Sequence, residues 1–268
     1  MIIKYSYLWN IPLTYCITLD CSHYEVKFFT KSTETYEVKG EFKNDLIKFN
    51  AHQAGLYIVN YPLNDWKNWI KHLINSSEIV STLTPSDKAN LISDSFYLAQ
   101  SGRLSYDVPL DLSQYLVNEE NYTPWSIADS MFEHIKNLVY NDFKDAMNHY
   151  MQQLVNKMYN KLKWDEKETE NDLTKRLRPL IIEIACKYGS KACLDEASNR
   201  FKQFKLEPTK KGSPNVRSAM VRYGLQMNDD EENMKFLWEM REKAVSSAEK
   251  SQYLDGLASA KSETAINK

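Results

Sequence analysis

The apolar residues of this chain change period once, between Tyr61 and Trp66, and the change divides the chain in two. Before it, apolar residues fall in short runs rich in Ile, Val, Phe and Tyr, which suit a pleated surface. Leu46-Ile47-Lys48-Phe49 and Leu56-Tyr57-Ile58-Val59-Asn60-Tyr61 flank a polar break ending at Gly55, and read as the two arms of a hairpin. In the second arm Leu56, Ile58 and Asn60 share one side and Tyr57, Val59 and Tyr61 the other, so both faces are expected to be covered. Residues 7–9, 12–17, 24–29 and, more weakly, 35–38 are further strand candidates. A small antiparallel sandwich would bury such a set.

After the change the pattern is helical. Trp66, Trp69, Ile70, Leu73 and Ile74 stand at i, i+3, i+4, i+7 and i+8, one stripe of a helix. Thr84-Pro85-Ser86-Asp87 is a helix start, with Thr84 as cap, Pro85 in the first turn and Asp87 at the positive end of the dipole. Gly102 suits the end of that helix. Thr123-Pro124 repeats the start signal. Residues 163–178 are rich in both charges and read as a solvated loop and helix start. About nine helices with short connections are predicted, and successive helix pairs give a solenoid-like array. Gly189, Gly212 and Gly224 fall near predicted helix ends. The array is expected to leave an apolar end uncovered, as in a fragment or a chain that docks on something.

The predicted fold is therefore mostly α: a HEAT-like helix-pair domain over residues 63–268, preceded by a small, incomplete antiparallel β-sandwich over residues 1–62. A length of 268 residues accommodates both. A formal net charge of −2 gives no electrostatic reason for nucleic acid or an anionic membrane as partner. No apolar run reaches the roughly 18 residues that span a bilayer, and the N-terminus is not a persuasive signal peptide.

Catalytic signals are sparse. His23, His52, His72, His134 and His149 never stand four apart, the spacing that sets two imidazoles on one helix face for zinc. No G-x-S-x-G or phosphate-cradling glycine loop occurs. Glu119-Glu120 and Asp229-Asp230-Glu231-Glu232 read as solvated helix starts rather than acid–base pairs. These residues argue against a self-sufficient enzyme, and no catalytic or metal-binding residue is predicted.

The four cysteines form two close pairs, Cys16/Cys21 and Cys186/Cys193. Cys186 and Cys193 bracket Gly189, where a tight corner between two helices could bring their Cα atoms within disulfide range, about 4.4–6.8 Å. Four unrelated buried thiols are the competing reading. Asn75-Ser76-Ser77 and Asn121-Tyr122-Thr123 are glycosylation sequons, which makes Asn75 and Asn121 candidate acceptors. Together these features tilt the compartment toward the secretory lumen or the extracellular face of the plasma membrane.

Several segments resemble the zinc aminopeptidases of the aminopeptidase N and ER aminopeptidase (gluzincin) type. Leu8-Trp9-Asn10-Ile11-Pro12-Leu13 is similar to their W-x-[IV]-P-[LI] strand. Ile47-Lys48-Phe49-Asn50 through Gly55-Leu56-Tyr57-Ile58-Val59-Asn60-Tyr61 is similar to their hairpin, with Ile58 where Arg is common. Ser86-Asp87-Lys88-Ala89-Asn90-Leu91-Ile92-Ser93-Asp94-Ser95-Phe96 resembles their D-R-A-x-L helix, with Lys88 for the usual Arg. Asn215-Val216-Arg217 with Tyr223-Gly224, and Ala248-Glu249-Lys250, continue the match in order.

The resemblance implies the C-terminal, non-catalytic portion of a peptide-cleaving zinc aminopeptidase. G-x-M-E-N and H-E-x-x-H do not occur in this sequence, so no residue inherits a catalytic or zinc-binding role; the parent family's single zinc belongs to the catalytic domain. The implied partners are that catalytic domain, a peptide substrate and, as in some members, a second copy; no nucleic acid is implied. The chain is expected to be inactive alone, to wall the substrate cavity, and to hinge near residues 61–65. The alternative is a free-standing helical-repeat module that binds proteins or peptides.

Overall fold

A computed structural model describes residues 8–16, 21, 24–38, 46–75, 82–138 and 141–261. Among them the chain forms one three-stranded antiparallel sheet and ten helices. By their contacts these residues fall into two compact units. One holds the described residues through Leu116 together with Ser126–Glu133. The other holds Val117–Trp125 and the described residues from His134 onward.

In the first unit β1 (Ile11–Cys16) is central, flanked by β2 (Glu25–Phe29) and β3 (Lys48–Phe49). Pro12 stands opposite Phe28, and Tyr15 opposite Phe49. One sheet, not two facing layers, is what the described residues supply. Leu8 and Trp9 are exposed and outside any strand, and residues 35–38 form none. Ile17 lies outside the described residues. Cys16 and Cys21 are joined by a disulfide, with Cα atoms 5.2 Å apart.

The second arm of the expected hairpin is not a strand. After β3 the chain turns through a 3-10 turn (Ala51–Gln53), with Asn50, His52 and Gln53 all at φ 55°. The Asn50 side chain clamps this turn: its Nδ2 donates to the Gly55 carbonyl at 2.9 Å, and its Oδ1 accepts from the Gly55 N–H at 2.9 Å. The returning segment then meets the sheet through side chains. The Thr14 N–H donates to the Tyr57 hydroxyl at 3.3 Å and the Phe49 N–H to the Tyr61 hydroxyl at 3.1 Å. Tyrosine hydroxyls thus take N–H groups that strand carbonyls would otherwise accept, while Leu56 and Ile58 point to solvent.

Helix α1 (Leu63–Asn75) buries Trp66, Trp69 and Leu73 of the predicted stripe, with Ile70 half-buried and Ile74 exposed. The Tyr61 ring meets Trp66 edge-on at 5.0 Å and Trp69 at 6.2 Å. Tyr61 and Trp66 are both buried inside this unit, while Pro62, Leu63 and Asn64 between them are exposed. Helix α2 (Pro85–Gln100) starts as predicted, with the Asp87 N–H donating to the Thr84 hydroxyl at 3.1 Å. It is buried on nearly every side.

The polar side chains of α2 fasten it to the sheet. Lys48 donates to Asn90 Oδ1 at 2.8 Å and lies 3.7 Å from the Asp87 carboxylate. The His52 N–H donates to Asp87 at 2.8 Å, and the Val59 N–H to Asp94 at 3.0 Å. Helix α3 (Asp107–Ser113) packs on α1 and α2. Phe132, from the middle of α4 (Tyr122–Leu138), meets Phe96 edge-on at 5.3 Å.

The second unit holds both ends of α4, then α5 (Asn141–Leu162), α6 (Asp172–Lys187), α7 (Lys191–Leu206), α8 (Pro214–Gln226), α9 (Glu231–Lys243) and α10 (Ser247–Leu257). Helix α5 packs on α6, α6 on α7 and α8, α7 on α8, α8 on α10, and α9 on α10. Each main contact joins helices no more than two apart in sequence, the pattern of a helix-pair array. Gly224 is not at a helix end: it sits inside α8, where an added Cβ would lie 2.5 Å from Phe201 Cβ and 2.9 Å from the Ala197 carbonyl. It is the close-approach point of α7 and α8. Gly189 and Gly212 do occupy left-handed turns, at φ 81° and 64°.

Candidate functional site

One concavity of the second unit is a cleft of about 580 Å³. It lies between residues 164–166, the second half of α7, residues 207–213 and the first half of α8. Trp164, Phe204, Val216 and Met220 give it apolar surface. Trp164 is buried although it sits in the charged stretch read as solvated. The Arg200 guanidinium covers its ring at 5.5 Å, and its indole N–H donates to the Tyr159 hydroxyl at 3.1 Å.

Charged groups line the walls and are largely matched with one another. Arg200 grips Asp165 with two hydrogen bonds of 2.9 and 2.8 Å and donates from Nε to Glu196 at 2.7 Å. The Arg200 bonds hold the Asp165 carboxyl below the usual range. Glu166 accepts from the Ser213 hydroxyl at 2.6 Å and from Asn215 Nδ2 at 2.8 Å, and these two bonds lower its pKa. Glu249 accepts from Lys211 at 2.6 Å and from the Tyr253 hydroxyl at 2.8 Å, and lies 3.6 Å from Arg217. The Lys211 bond is the main reason its carboxyl is held low. All three carboxylates are therefore ionised at neutral pH. These carboxylates are satisfied by partners within the chain, and none of the three is poised to exchange a proton near pH 7.

Behind the cleft, Arg178 is fully buried on α6. It donates to the Leu162 carbonyl, to the Lys163 carbonyl at 3.1 Å and to the Glu170 carboxylate, closing the C-terminal carbonyls of α5. The helix carrying it begins at Asp172, capped by Asn171, six residues before Arg178. Sequence reasoning singled out none of the cleft residues by role. Trp164 inside a run of charge, and the Lys210-Lys211-Gly212-Ser213-Pro214 helix start, were the available signals.

The structure separates the sequence-derived candidates. Cys186 and Cys193 are bonded, S–S 2.01 Å with Cα atoms 5.2 Å apart, across the corner between α6 and α7. Asn75 ends α1, exposed, with its Nδ2 donating to the Lys71 carbonyl at 3.0 Å. Ser76 and Ser77 of its sequon lie outside the described residues. Asn121 is half-buried, and its Nδ2 donates to Glu119 Oε1 at 2.6 Å. Glu119 is buried and not solvated as expected: the same oxygen accepts the Glu120 and Asn121 N–H groups at 3.0 and 2.8 Å. Asp230 does cap a helix, accepting from the Asn233 N–H at 2.8 Å. His52 abuts Asp87 and the Cys21 carbonyl, and His23 lies outside the described residues.

Among the described residues no three His, Cys, Asp or Glu side chains converge to hold a metal ion. Among the same residues, no helix is long and apolar enough to cross a membrane.

A helix-pair array following a short antiparallel sheet is the architecture of the described residues, a helical domain class. A family model for the ERAP1-like C-terminal domain matches residues 46–268. The chain belongs to that family, the C-terminal domain of aminopeptidase-family proteins. It is 31% identical over 267 residues to glutamyl aminopeptidase of Homo sapiens, a match covering 98% of this chain and 27% of that protein. It is 29% identical over 256 residues to aminopeptidase N of Plutella xylostella, covering 93% and 27%. It is 28% identical over 278 residues to the thyrotropin-releasing hormone-degrading ectoenzyme of Homo sapiens, covering 98% and 25%. The chain thus spans about a quarter of the length of these relatives.

Proposed function

We propose that this chain is the non-catalytic C-terminal portion of a zinc aminopeptidase that removes N-terminal residues from peptides. In that role it packs against the catalytic domain and encloses the substrate cavity. One observation carries the reading: nearly the whole chain aligns with aminopeptidases, yet with only about a quarter of each. The ion-lined, partly apolar cleft beside Trp164 and Arg200 supports a wall that meets peptide. All four cysteines are in disulfides, which supports a secretory or extracellular location.

The test is the transcript around this reading frame together with the purified chain. An in-frame H-E-x-x-H segment upstream, and a purified chain that does not hydrolyse an aminoacyl-p-nitroanilide with zinc added, are the expected results. Zinc-dependent turnover by this chain alone overturns the proposal. The helix-pair packing of the second unit favours a second reading, a free-standing peptide- or protein-binding array. A frame that opens at Met1 with no upstream coding sequence favours that reading.

A further inference from the structure

Paired basic residues occur twice in the sequence, Lys175-Arg176 and Lys210-Lys211, and the fold treats them oppositely. We propose that the loop between α7 and α8 is a cleavage site for a serine endoprotease that reads paired basic residues. The cut falls between Lys211 and Gly212, and the product is a two-chain molecule that stays assembled. Proteases of this class act on secreted chains, so the proposal rests on the secretory placement above.

A protease takes its substrate as an extended segment, so the scissile bond must lie where the backbone can leave its own fold. Lys175 and Arg176 lie inside α6, where the Lys175 N–H donates to the Asn171 carbonyl at 3.1 Å. Opening that helix would uncover Leu177 and Arg178, both buried. Residues 207–213 belong to no helix or strand. Glu207, Thr209, Lys210 and Gly212 are exposed, the Lys210 side chain by 76%. The turn is closed by a local bond, from the Lys210 N–H to the Glu207 carbonyl at 2.9 Å. Two ion pairs must release. Lys210 with Glu207, at 2.6 Å, is on the surface and weak. Lys211 leaves Glu249, at 2.6 Å, and that carboxylate keeps its Tyr253 bond and its Arg217 neighbour. Gly212, at φ 64°, swings to extended backbone with no side chain to obstruct it.

The cut is a hydrolysis. The bond from the Lys211 carbonyl carbon to the Gly212 nitrogen breaks. Water supplies the hydroxyl that completes the Lys211 carboxyl and the proton that completes the Gly212 amine. No disulfide joins the two products, since all four cysteines precede the cut. Side chains join them instead. Glu166 holds Ser213 and Asn215 at 2.6 and 2.8 Å, Glu183 holds Arg222 at 2.6 Å, and the Phe204 ring stacks on Tyr253 at 6.1 Å. The new ends lie in the wall of the cleft to which residues 207–213 contribute. Cleavage therefore loosens that wall and leaves the packing of α7 on α8 whole.

The experiment treats the purified chain, folded and heat-unfolded, with a kexin-type endoprotease and sequences the new N-termini. The folded chain is expected to give one cut, before Gly212, and the unfolded chain cuts after both basic pairs. The two products of the folded chain are expected to co-elute from a sizing column and to part in guanidinium chloride. Lys210→Ala is expected to lose this cut, while trypsin still cleaves after Lys211. Resistance of the folded chain, a first cut after Arg176, products that part without denaturant, or a Lys210→Ala chain cut as fast as the parent each overturn the proposal. A second arm recovers the chain secreted from cultured animal cells. Oxidised cysteines together with a new N-terminus at Gly212 are expected, and oxidised cysteines with an intact loop overturn the proposal. Reduced cysteines there overturn instead the secretory placement.

Discussion

The Lys48 ammonium lies 3.7 Å from the Asp87 carboxylate, with both side chains almost wholly removed from water. This buried pair, completed by the 2.8 Å bond from Lys48 to Asn90, ties the sheet to α2. Removing one member of such a pair leaves the other charge buried and uncompensated. Lys48→Met is expected to destabilise the fold by roughly 3 kcal/mol, read as a lower urea midpoint. A variant as stable as the parent would mean that the pair adds nothing beyond its apolar stem.

The same cluster makes stability depend on pH in two windows. Burial lowers Lys48 from 10.5 to about 8 and raises Asp94 from 3.8 to about 6. Between the two Lys48 values the unfolded chain binds more protons, so the Lys48 contribution to stability rises with pH from about 8 to 10.5. For Asp94 the folded chain binds more protons, so its contribution falls as pH rises from 3.8 to about 6. Urea midpoints across pH for the parent and Asp94→Asn should converge toward acid and separate as pH rises from 3.8 to about 6, with the variant the more stable above that window. Curves that stay parallel from pH 3 to pH 7 would refute the linkage.

Gly224 lets α7 and α8 approach. Gly224→Ala drives a methyl group to within 2.5 Å of Phe201 Cβ and 2.9 Å of a backbone carbonyl. The expected cost is about 1–3 kcal/mol, the usual range for overpacking. Gly102→Ala is the contrast: its space is open and its strain comes only from φ +72°, so a cost of about 1 kcal/mol is expected. Thermal unfolding of both variants compares them.

The Cys186–Cys193 bridge closes a short loop, sequence separation 7, at the α6–α7 corner. Replacing both residues by alanine is expected to cost about 2 kcal/mol on loop-closure grounds. Peptide mapping of unreduced material should give a linked pair. Two free thiols there would remove the bridge from the folded protein.

Much of this fold is legible in the sequence because period and caps are local signals. Trp66, Trp69 and Leu73 announce a helix face, and Thr84-Pro85 announces a start, without reference to anything distant. The arm at 56–61 was misread because alternation cannot report where N–H groups find acceptors. Two tyrosine hydroxyls, whose reach is a tertiary fact, replaced a strand. The burial of Tyr61 was likewise hidden, since its ring packs on two tryptophans of the next helix. The cleft was illegible for a related reason. Arg200 and Asp165 are 35 residues apart, and only the fold makes them partners.

Those tyrosine hydroxyls have one more effect. A sheet grows by offering unsatisfied N–H and C=O groups to a newcomer, and at Thr14 and Phe49 the N–H groups are already spoken for by Tyr57 and Tyr61. The ladder is stopped there by phenol groups instead of by proline or charge. A strand from a neighbouring molecule would have to displace the buried Tyr61 side chain before it could add to the outer edge of β3 at Phe49. The segment that failed to become a strand thus acts as a stopper against sheet-to-sheet aggregation.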